Sequence, residues 1–282
     1  MFRHQKELQF EAKPTQPDPT VAKYLQELIG GQYGEMSVAM QYLFQGWSCR
    51  GEAKYKDMIL DIATEEIGHV EMLATMVARL LEDAPVEDQQ AAMEQDPVVG
   101  AVIAGMNPQH AIVAGLGPRP ADSVGNPWSG AYIISSGNLL ADFRANLNAE
   151  SQGRLQAARI YEMVDDPGVK DLLAVLLARD SYHQNQWAAA IKELEEQVGT
   201  ILVPSDFPRE KERKDIAYDF YNFSKGDESS QGAWAHGEAL DGEGEYKWQA
   251  EPKAEGQAPD LKPVNPKCWF LNKNKNPPPF FI

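Results

Sequence analysis

The sequence has little cysteine, few bases and no long apolar run. Two cysteines among 282 residues, Cys49 and Cys268, cannot build a disulfide framework and suit a reducing compartment. Only 26 lysines and arginines stand against 42 aspartates and glutamates, a formal net charge of −16. Nucleic-acid phosphates repel such a chain, so no nucleic-acid partner is expected. No apolar stretch reaches the roughly 20 residues a helix needs to cross a bilayer, so no membrane partner is expected either. The opening Met1-Phe2-Arg3-His4-Gln5-Lys6 leads into polar residues without the apolar core of a secretory leader, and a cytoplasmic protein is the expectation. What remains is ordinary for a soluble globular chain of one or two domains: 43% hydrophobic and 24% charged residues.

Proline and glycine punctuate the chain. Residues 1–19 read as an extended arm, because Pro14, Pro17 and Pro19 obstruct a helix. Residues 20–200 read as four helices. The first runs from Thr20, as N-cap, to about Arg50, where Gly51 breaks it. The second runs from about Ala53 to Leu81, short of Pro85. Residues 82–126, with Pro97, Pro108, Pro118 and Pro120, form a connection longer than most ordered loops, which carries the chain from one hairpin to the next. Asn126-Pro127 reads as a cap followed by proline at the first position of a third helix ending near Asp165. Pro167 opens the fourth, which ends near Gly199.

On these helices, carboxylates and imidazoles sit where apolar residues belong. The seam Ile59, Ile62, Glu66, His69, Leu73, Met76, Leu80 is apolar except for an acid and a histidine one turn apart. A buried, unpaired carboxylate costs several kcal/mol, so it needs a proton, a partner or a metal. Three more seams are interrupted in the same way: by Glu35 in the first helix, by Glu150 in the third, and by Asp180 and His183 in the fourth. Glu66 follows Glu35 by 31 residues and Asp180 follows Glu150 by 30. The chain therefore holds two copies of one unit, a helix with a central acid followed by a helix with acid-x-x-His. Two such hairpins related by a pseudo-twofold converge six polar groups on one point, the layout of dinuclear metal sites in helix bundles. Hard oxygen donors with one imidazole per metal suit manganese and iron alike.

These residues, with the contexts Gly-Gly-Gln-Tyr-Gly-Glu35-Met and Glu-Glu66-Ile-Gly-His69-Val-Glu, resemble the manganese catalases. The resemblance implies an all-α, ferritin-like four-helix bundle with a long crossover and an extended C-terminal strap. It implies two manganese ions per subunit, with Glu35, Glu66, His69, Glu150 and His183 as ligands. The implied activity is the disproportionation of hydrogen peroxide to water and dioxygen, with the pair cycling between Mn(II)Mn(II) and Mn(III)Mn(III). Two divalent ions against ionised Glu35, Glu66, Glu150 and Asp180 leave the reduced site near neutral, which a dry core tolerates. Of Glu66 and its repeat partner Asp180, only one can reach both metals, and Glu66 is expected to bridge. Tyr42 matches a tyrosine just outside the ligands. Asp180 stands where family members have Glu. It is shorter by one methylene, about 1.5 Å of reach, and is expected as a proton acceptor rather than a ligand. Ala149 stands where some members have Arg before the third-helix Glu, which leaves open what guards the substrate channel. Calcium is implied by Asp57 and Asp61 together with the loop Asn222, Ser224 and Gly226, since calcium accepts carboxylate, amide and backbone oxygens together.

Other readings stand beside these. A di-iron ferroxidase or oxygenase of the same fold shares the layout but calls for a Glu in place of Asp180, and a non-catalytic metal store does not call for a long tail. Asp57 and Asp61 read, on residues alone, as a solvated helix face. His4, His110 and His236 have no partner pattern and read as surface or loop residues. Arg154 reads either as a structural ion pair or as a channel residue.

Residues 201–282 differ in kind, with nine of the 19 prolines and no helical periodicity. From Asp227 to Asp260 they carry nine acids against Lys247 and Lys253, a composition that suggests disorder. Trp234, Trp248, Trp269, Phe270, Phe280 and Phe281 argue otherwise, since large aromatics seek surface to cover. The reading is an extended strap with too little periodicity to fold on itself, laid on the bundle and on neighbouring copies in a closed homo-oligomer; the resemblance implies a hexamer.

Overall fold

In the computed structural model, residues 5–82, 105, 107–254 and 256–262 are described. His4, Pro85, Pro97, Cys268, Trp269, Phe270, Phe280 and Phe281 lie outside the described residues. The chain divides into two compact units, residues 1–206 and 207–282. The boundary falls a few residues beyond the expected one at 200.

The first helix of the sequence reading is two helices. α1 spans Pro19–Gly30 and α2 spans Glu35–Ser48. The cap of α1 is Asp18 rather than Thr20: its carboxylate accepts from the Thr20 and Val21 amides, with Pro19 at the first position. The break falls in the glycine-rich stretch Gly30-Gly31-Gln32-Tyr33-Gly34. Gly30 has a reason of its own, because any Cβ there would meet the backbone of Ala121 in the long connection. The break places Glu35 in the first turn of α2, where the unpaired amides and positive end of a helix favour a carboxylate.

α3 spans Ala53–Leu81 as expected. α1 and α2 both pack along it, and the Asp18 amide donates to the Leu80 carbonyl at 2.9 Å, fixing the arm at the far end of the hairpin. A short helix, α4, spans Pro108–Ile112. α5 spans Leu139–Met163, capped by Asn138, and starts twelve residues later than Asn126-Pro127 suggests. The reason is local: Asp122 accepts from the Asn126 amide at 2.8 Å and from its side chain at 2.7 Å, and Pro127 bridges to Ala121, so this pair closes a turn instead. A buried amide network of Gln41, Gln45 and Asn146 ties the following segment down through the Ile134 amide and carbonyl. α6 spans Pro167–Val198, capped by Asp166 and closed by Gly199 at φ +77°, as the sequence suggests. α5 and α6 form the second hairpin.

The apolar core of the bundle comes in two parts. One joins α1, the second half of α3, the end of α5 and the start of α6, with Leu25, Leu73, Leu80 and Leu173 fully buried. The other joins α2, the first half of α3, the start of α5 and the end of α6, with Ile59, Phe143 and Trp187 fully buried. Between these sequence positions on each helix lie Glu35, Glu66, His69, Glu150, Asp180 and His183.

The second unit, expected as an extended strap, does fold on itself in part. β1 (Asp219–Tyr221), β2 (His236–Glu238) and β3 (Glu245–Gln249) form a sheet in the order β1-β3-β2. β1 pairs with β3 in parallel and β2 with β3 antiparallel. Phe220 meets Trp248 edge to face at 4.8 Å, and Asp241 gathers Arg209 and Tyr218, each at 3.0 Å. Trp234 and Phe223 stay exposed.

Candidate metal centre

Glu66 and His69 lie one turn apart on α3, and Asp180 and His183 lie one turn apart on α6; all four are buried. Glu150 joins them from mid-α5 and Glu35 from the start of α2. Glu35, Glu66 and His69 offer ligand atoms that all lie within 4.8 Å of one another, and so do Glu66, Glu150 and His183. Glu66 belongs to both triads. Its Oε2 is 2.7 Å from His69 Nδ1 and its Oε1 is 2.7 Å from His183 Nδ1. Glu35 Oε2 lies 3.9 Å from His69 Nδ1, and Glu150 Oε1 lies 3.7 Å from His183 Nδ1. The two imidazole rings stack 5.9 Å apart at 27°. Each half of the shared carboxylate thus faces the imidazole of a different hairpin.

The donor set fits a pair of cations. Glu66 Oε1 and His183 Nδ1 are buried and close together, yet neither is in hydrogen-bonding geometry. Such groups converging in a dry core are costly unless protons or a cation lie between them. Carboxylate oxygens with one imidazole per triad suit hard to borderline divalent metals.

Without metal, this cluster must hold protons. Burial, then the charge of Glu66, pushes Glu35 and Glu150 above the ordinary carboxylate range. Burial works on Glu66 in the same direction, but the facing His69 and His183 outweigh it and hold its carboxyl well below that range. Burial disfavours charge on the histidines too. The Glu66 charge and the surrounding acids nonetheless raise His69 well above its usual value, and contacts with Glu150, Glu65 and Glu66 bring His183 up to about 12. Asp180 is pushed up to about 8, by burial first and then by the charges of Glu150 and Glu66.

The remaining sequence-selected residues fall around this centre or apart from it. Asp180 is in neither triad. Tyr42 is fully buried and donates to Glu150 Oε1 at 2.6 Å. Its ring packs on Trp187 at 5.0 Å, and Trp187 packs on Phe143 at 5.1 Å. Arg154 donates to the Ser181 hydroxyl at 2.9 Å. Asp57 and Asp61 are exposed along α3. In the second unit, Asn222 Oδ1 accepts from the Ser224 amide at 3.1 Å, and the Gly226 carbonyl accepts from Asn222 Nδ2 and Ser224 Oγ, each at 3.0 Å. His110 corrects its reading as a surface or loop residue: it is fully buried, beside Gln26 Oε1 at 3.3 Å. His236 is exposed on β2, as expected.

One residue escaped the sequence reading. Glu65 Oε2 is 3.2 Å from His183 Nε2, and its Oε1 is 3.6 Å from His69 Nε2. Arg179 grips the same carboxylate, Nε on Oε1 at 2.5 Å and Nη2 on Oε2 at 3.0 Å. A signal was present: the paired motifs read Glu65-Glu66-x-x-His69 and Arg179-Asp180-x-x-His183, with opposite charges one residue before each acid.

Comparison with known proteins agrees with this geometry. The profile of a family described as manganese containing catalase matches residues 1–277. A manganese catalase of Bacillus subtilis is 60% identical over 266 residues, 94% of this chain and 96% of that one. Another protein of Bacillus subtilis strain 168, YjqC, is 64% identical over 272 residues, 96% of this chain and 97% of its own. The crystal structure of KatB, a manganese catalase from Anabaena PCC7120, superposes with a TM-score of 0.68 at 27% identity, covering 89% of this chain and 100% of that one.

Proposed function

Since the chain belongs to the manganese-containing catalase family, we propose that the buried cluster is its dimanganese centre and that Glu66 is the carboxylate common to both ions. The fold is ferritin-like and helical, and the reaction is the disproportionation of hydrogen peroxide. The observation that carries the assignment is the membership of Glu66 in both triads. Glu35 and His69 would complete one site, and Glu150 and His183 the other. A manganese pair held by these residues would supply two-electron chemistry toward peroxide in either direction, with no outside reductant.

The chain's own residues supply the rest. Tyr42, by donating to Glu150 Oε1, fixes which way that carboxylate turns. Asp180, buried beside the cluster but in neither triad, would take a proton that peroxide gives up and return it. Tyr42, Trp187 and Phe143 close one side with aromatic surface and keep water from competing there. Peroxide reaches the pair at Glu35, whose side chain is 13% exposed, against 3% for Glu150 and none for Glu66, His69 and His183. The di-iron alternative is not favoured.

The assembly belongs to the same reading. The second unit, with Trp234 60% and Phe223 86% exposed, is proposed to lie across neighbouring copies in a hexamer. Calcium stays a proposal for Asp57 and Asp61 on α3 and for the loop of Asn222, Ser224 and Gly226; within the loop, Ser224 Oγ lies 3.3 Å from Asn222 Oδ1 and 3.0 Å from the Gly226 carbonyl, oxygens that suit the ion. Low cysteine content supports a cytoplasmic setting.

Elemental analysis of the purified protein, with oxygen evolution from peroxide, tests the function. Two manganese ions per chain and rapid oxygen release are expected; iron in their place, or no oxygen, would overturn it. Removing residues 207–282 should give smaller species in light scattering, and a full-length monomer would refute the assembly.

A further inference from the structure

The two histidines each have a second ring nitrogen, and both of these point to one place. His183 Nε2 is hydrogen-bonded to Glu65 Oε2 at 3.2 Å, and His69 Nε2, buried and with no hydrogen-bond partner, faces Glu65 Oε1 from 3.6 Å, just beyond hydrogen-bonding distance. One carboxylate therefore faces the back of both imidazoles, as Glu66 faces the front of both. Glu65 is not free to leave: Arg179 spans both of its oxygens at 2.5 and 3.0 Å, and Gln9 of the N-terminal arm donates to Oε1 at 3.2 Å. Arg179 is held in turn, its guanidinium 4.7 Å from the centre of the Tyr182 ring. The partners come from α3 and α6, so the contact joins the two hairpins on the outer side of the cluster.

An imidazole that donates from Nε2 must present Nδ1 as a lone pair, and the hydrogen bond makes that lone pair a better donor. We propose that Glu65, locked by Arg179, is the shared positioning residue of both histidines. It holds the tautomer of His183 through the bond already in place and that of His69 by closing the 3.6 Å gap when the site fills, and so ties the affinities of the two sites to a single carboxylate. The reason for one acid rather than two lies in the repeat. Residue 65 and residue 179 occupy the same place in the two motifs, and only opposite charges there can form a locked pair. A carboxylate at both places would repel, and an arginine at both would offer the histidines no acceptor.

This inference rests on the metal-centre reading above, and its test separates the two. Manganese(II) binding is titrated against a competing chelator, and the electron paramagnetic resonance spectrum of the loaded pair is recorded, for the intact protein and for Glu65→Gln, Arg179→Gln and Arg179→Lys. Loss of such an outer hydrogen bond typically weakens metal binding about 10- to 100-fold. Glu65→Gln should weaken both sites together by about that factor and alter the spectrum of the pair. Arg179→Gln should do so to a lesser degree, and Arg179→Lys should recover part of the loss, since it restores the charge but not the fork. Thermal melts of the metal-free variants identify any that fail to fold, and the two Arg179 variants then decide the matter. Native affinity and spectrum in Glu65→Gln, or weakening confined to one ion, overturns the inference. Failure of the unaltered protein to bind two manganese ions instead overturns the reading it rests on.

Discussion

The two helical hairpins place the same kinds of residue at the same steps, yet they do different chemistry. Each brings a central acid, Glu35 or Glu150, and an acid-x-x-His motif to the same layer. They part at two adjacent positions. Glu66 touches both imidazoles at 2.7 Å, whereas its counterpart Asp180, one methylene shorter, joins neither triad. Glu65 accepts from His183 and faces His69 at 3.6 Å, whereas its counterpart Arg179 is the clamp that holds it. The hairpins also differ in Glu35, which starts a helix, while Glu150 sits inside one. Backbone symmetry supplies two equivalent triads; on the proposed reading, side-chain asymmetry makes Glu66 the bridge and Asp180 the proton acceptor.

The sharpest way to break this comparison is to remove the bridge. Glu66→Ala should lose both ions and all oxygen evolution, because the residue completes both triads. A variant that keeps two manganese ions and near-normal turnover would show that the hairpins bind independently. Changing the counterpart should leave binding intact. Asp180→Asn should retain both ions by elemental analysis but slow oxygen release about 10²-fold or more, within the range for a lost acid–base group. Loss of metal in that variant would instead make Asp180 a ligand and restore the symmetry. Tyr42→Phe tests one side alone. It removes a buried hydrogen bond to a charged group, worth ~1.5–3 kcal/mol, and should weaken the Glu150–His183 side about 10- to 100-fold while sparing the other in a chelator titration.

The smallest effect is that of pH on the metal-free chain. Asp180 rises from 3.8 to about 8 on folding and His183 from 6.5 to about 12, so the folded chain holds these protons more tightly than the unfolded one. Their contributions are full at low pH and are lost as pH rises, across about 4 to 8 for Asp180 and from about 6.5 upward for His183. Glu66, held below its usual range, loses its own contribution only as pH falls below about 4.5. The thermal midpoint of the metal-free protein should therefore fall between about pH 6.5 and 9. Metals displace the same protons, so the loaded protein should vary much less over that range. Parallel profiles with and without metal would separate the cluster's protons from stability.

Legibility followed periodicity. Glu66, His69, Glu150, Asp180 and His183 stand out because each interrupts a regular apolar seam, and the sequence positions alone pair the hairpins. Glu65 and Arg179 lie one residue off those seams, on a face that reads as solvated, and their partnership spans 114 residues. The helix break before Glu35 was signalled by Gly30, Gly31 and Gly34, but an unbroken run of seam positions masked it. Asn126-Pro127 carries the local chemistry of a helix start, and only the capture of Asn126 by Asp122 makes it a turn. The strands of the second unit are three to five residues long, too short for an alternating pattern to show.

The divided core bears on how the chain breathes. Each end of the bundle has its own apolar cluster, and the layer between them adds little oily adhesion and much buried charge. In the metal-free chain the layer is thus the weakest cross-section, and the two ends form separate cooperative units of opening. Amide exchange would then report two protection levels, one for each end, and a hydrated ion could enter through such an opening without a permanent passage. On the proposed reading, ions seated there would make the same cross-section a strong seam, because their ligands come from all four long helices around it. Loading would merge the two units into one, and departure of the metals would become as slow as unfolding of the bundle.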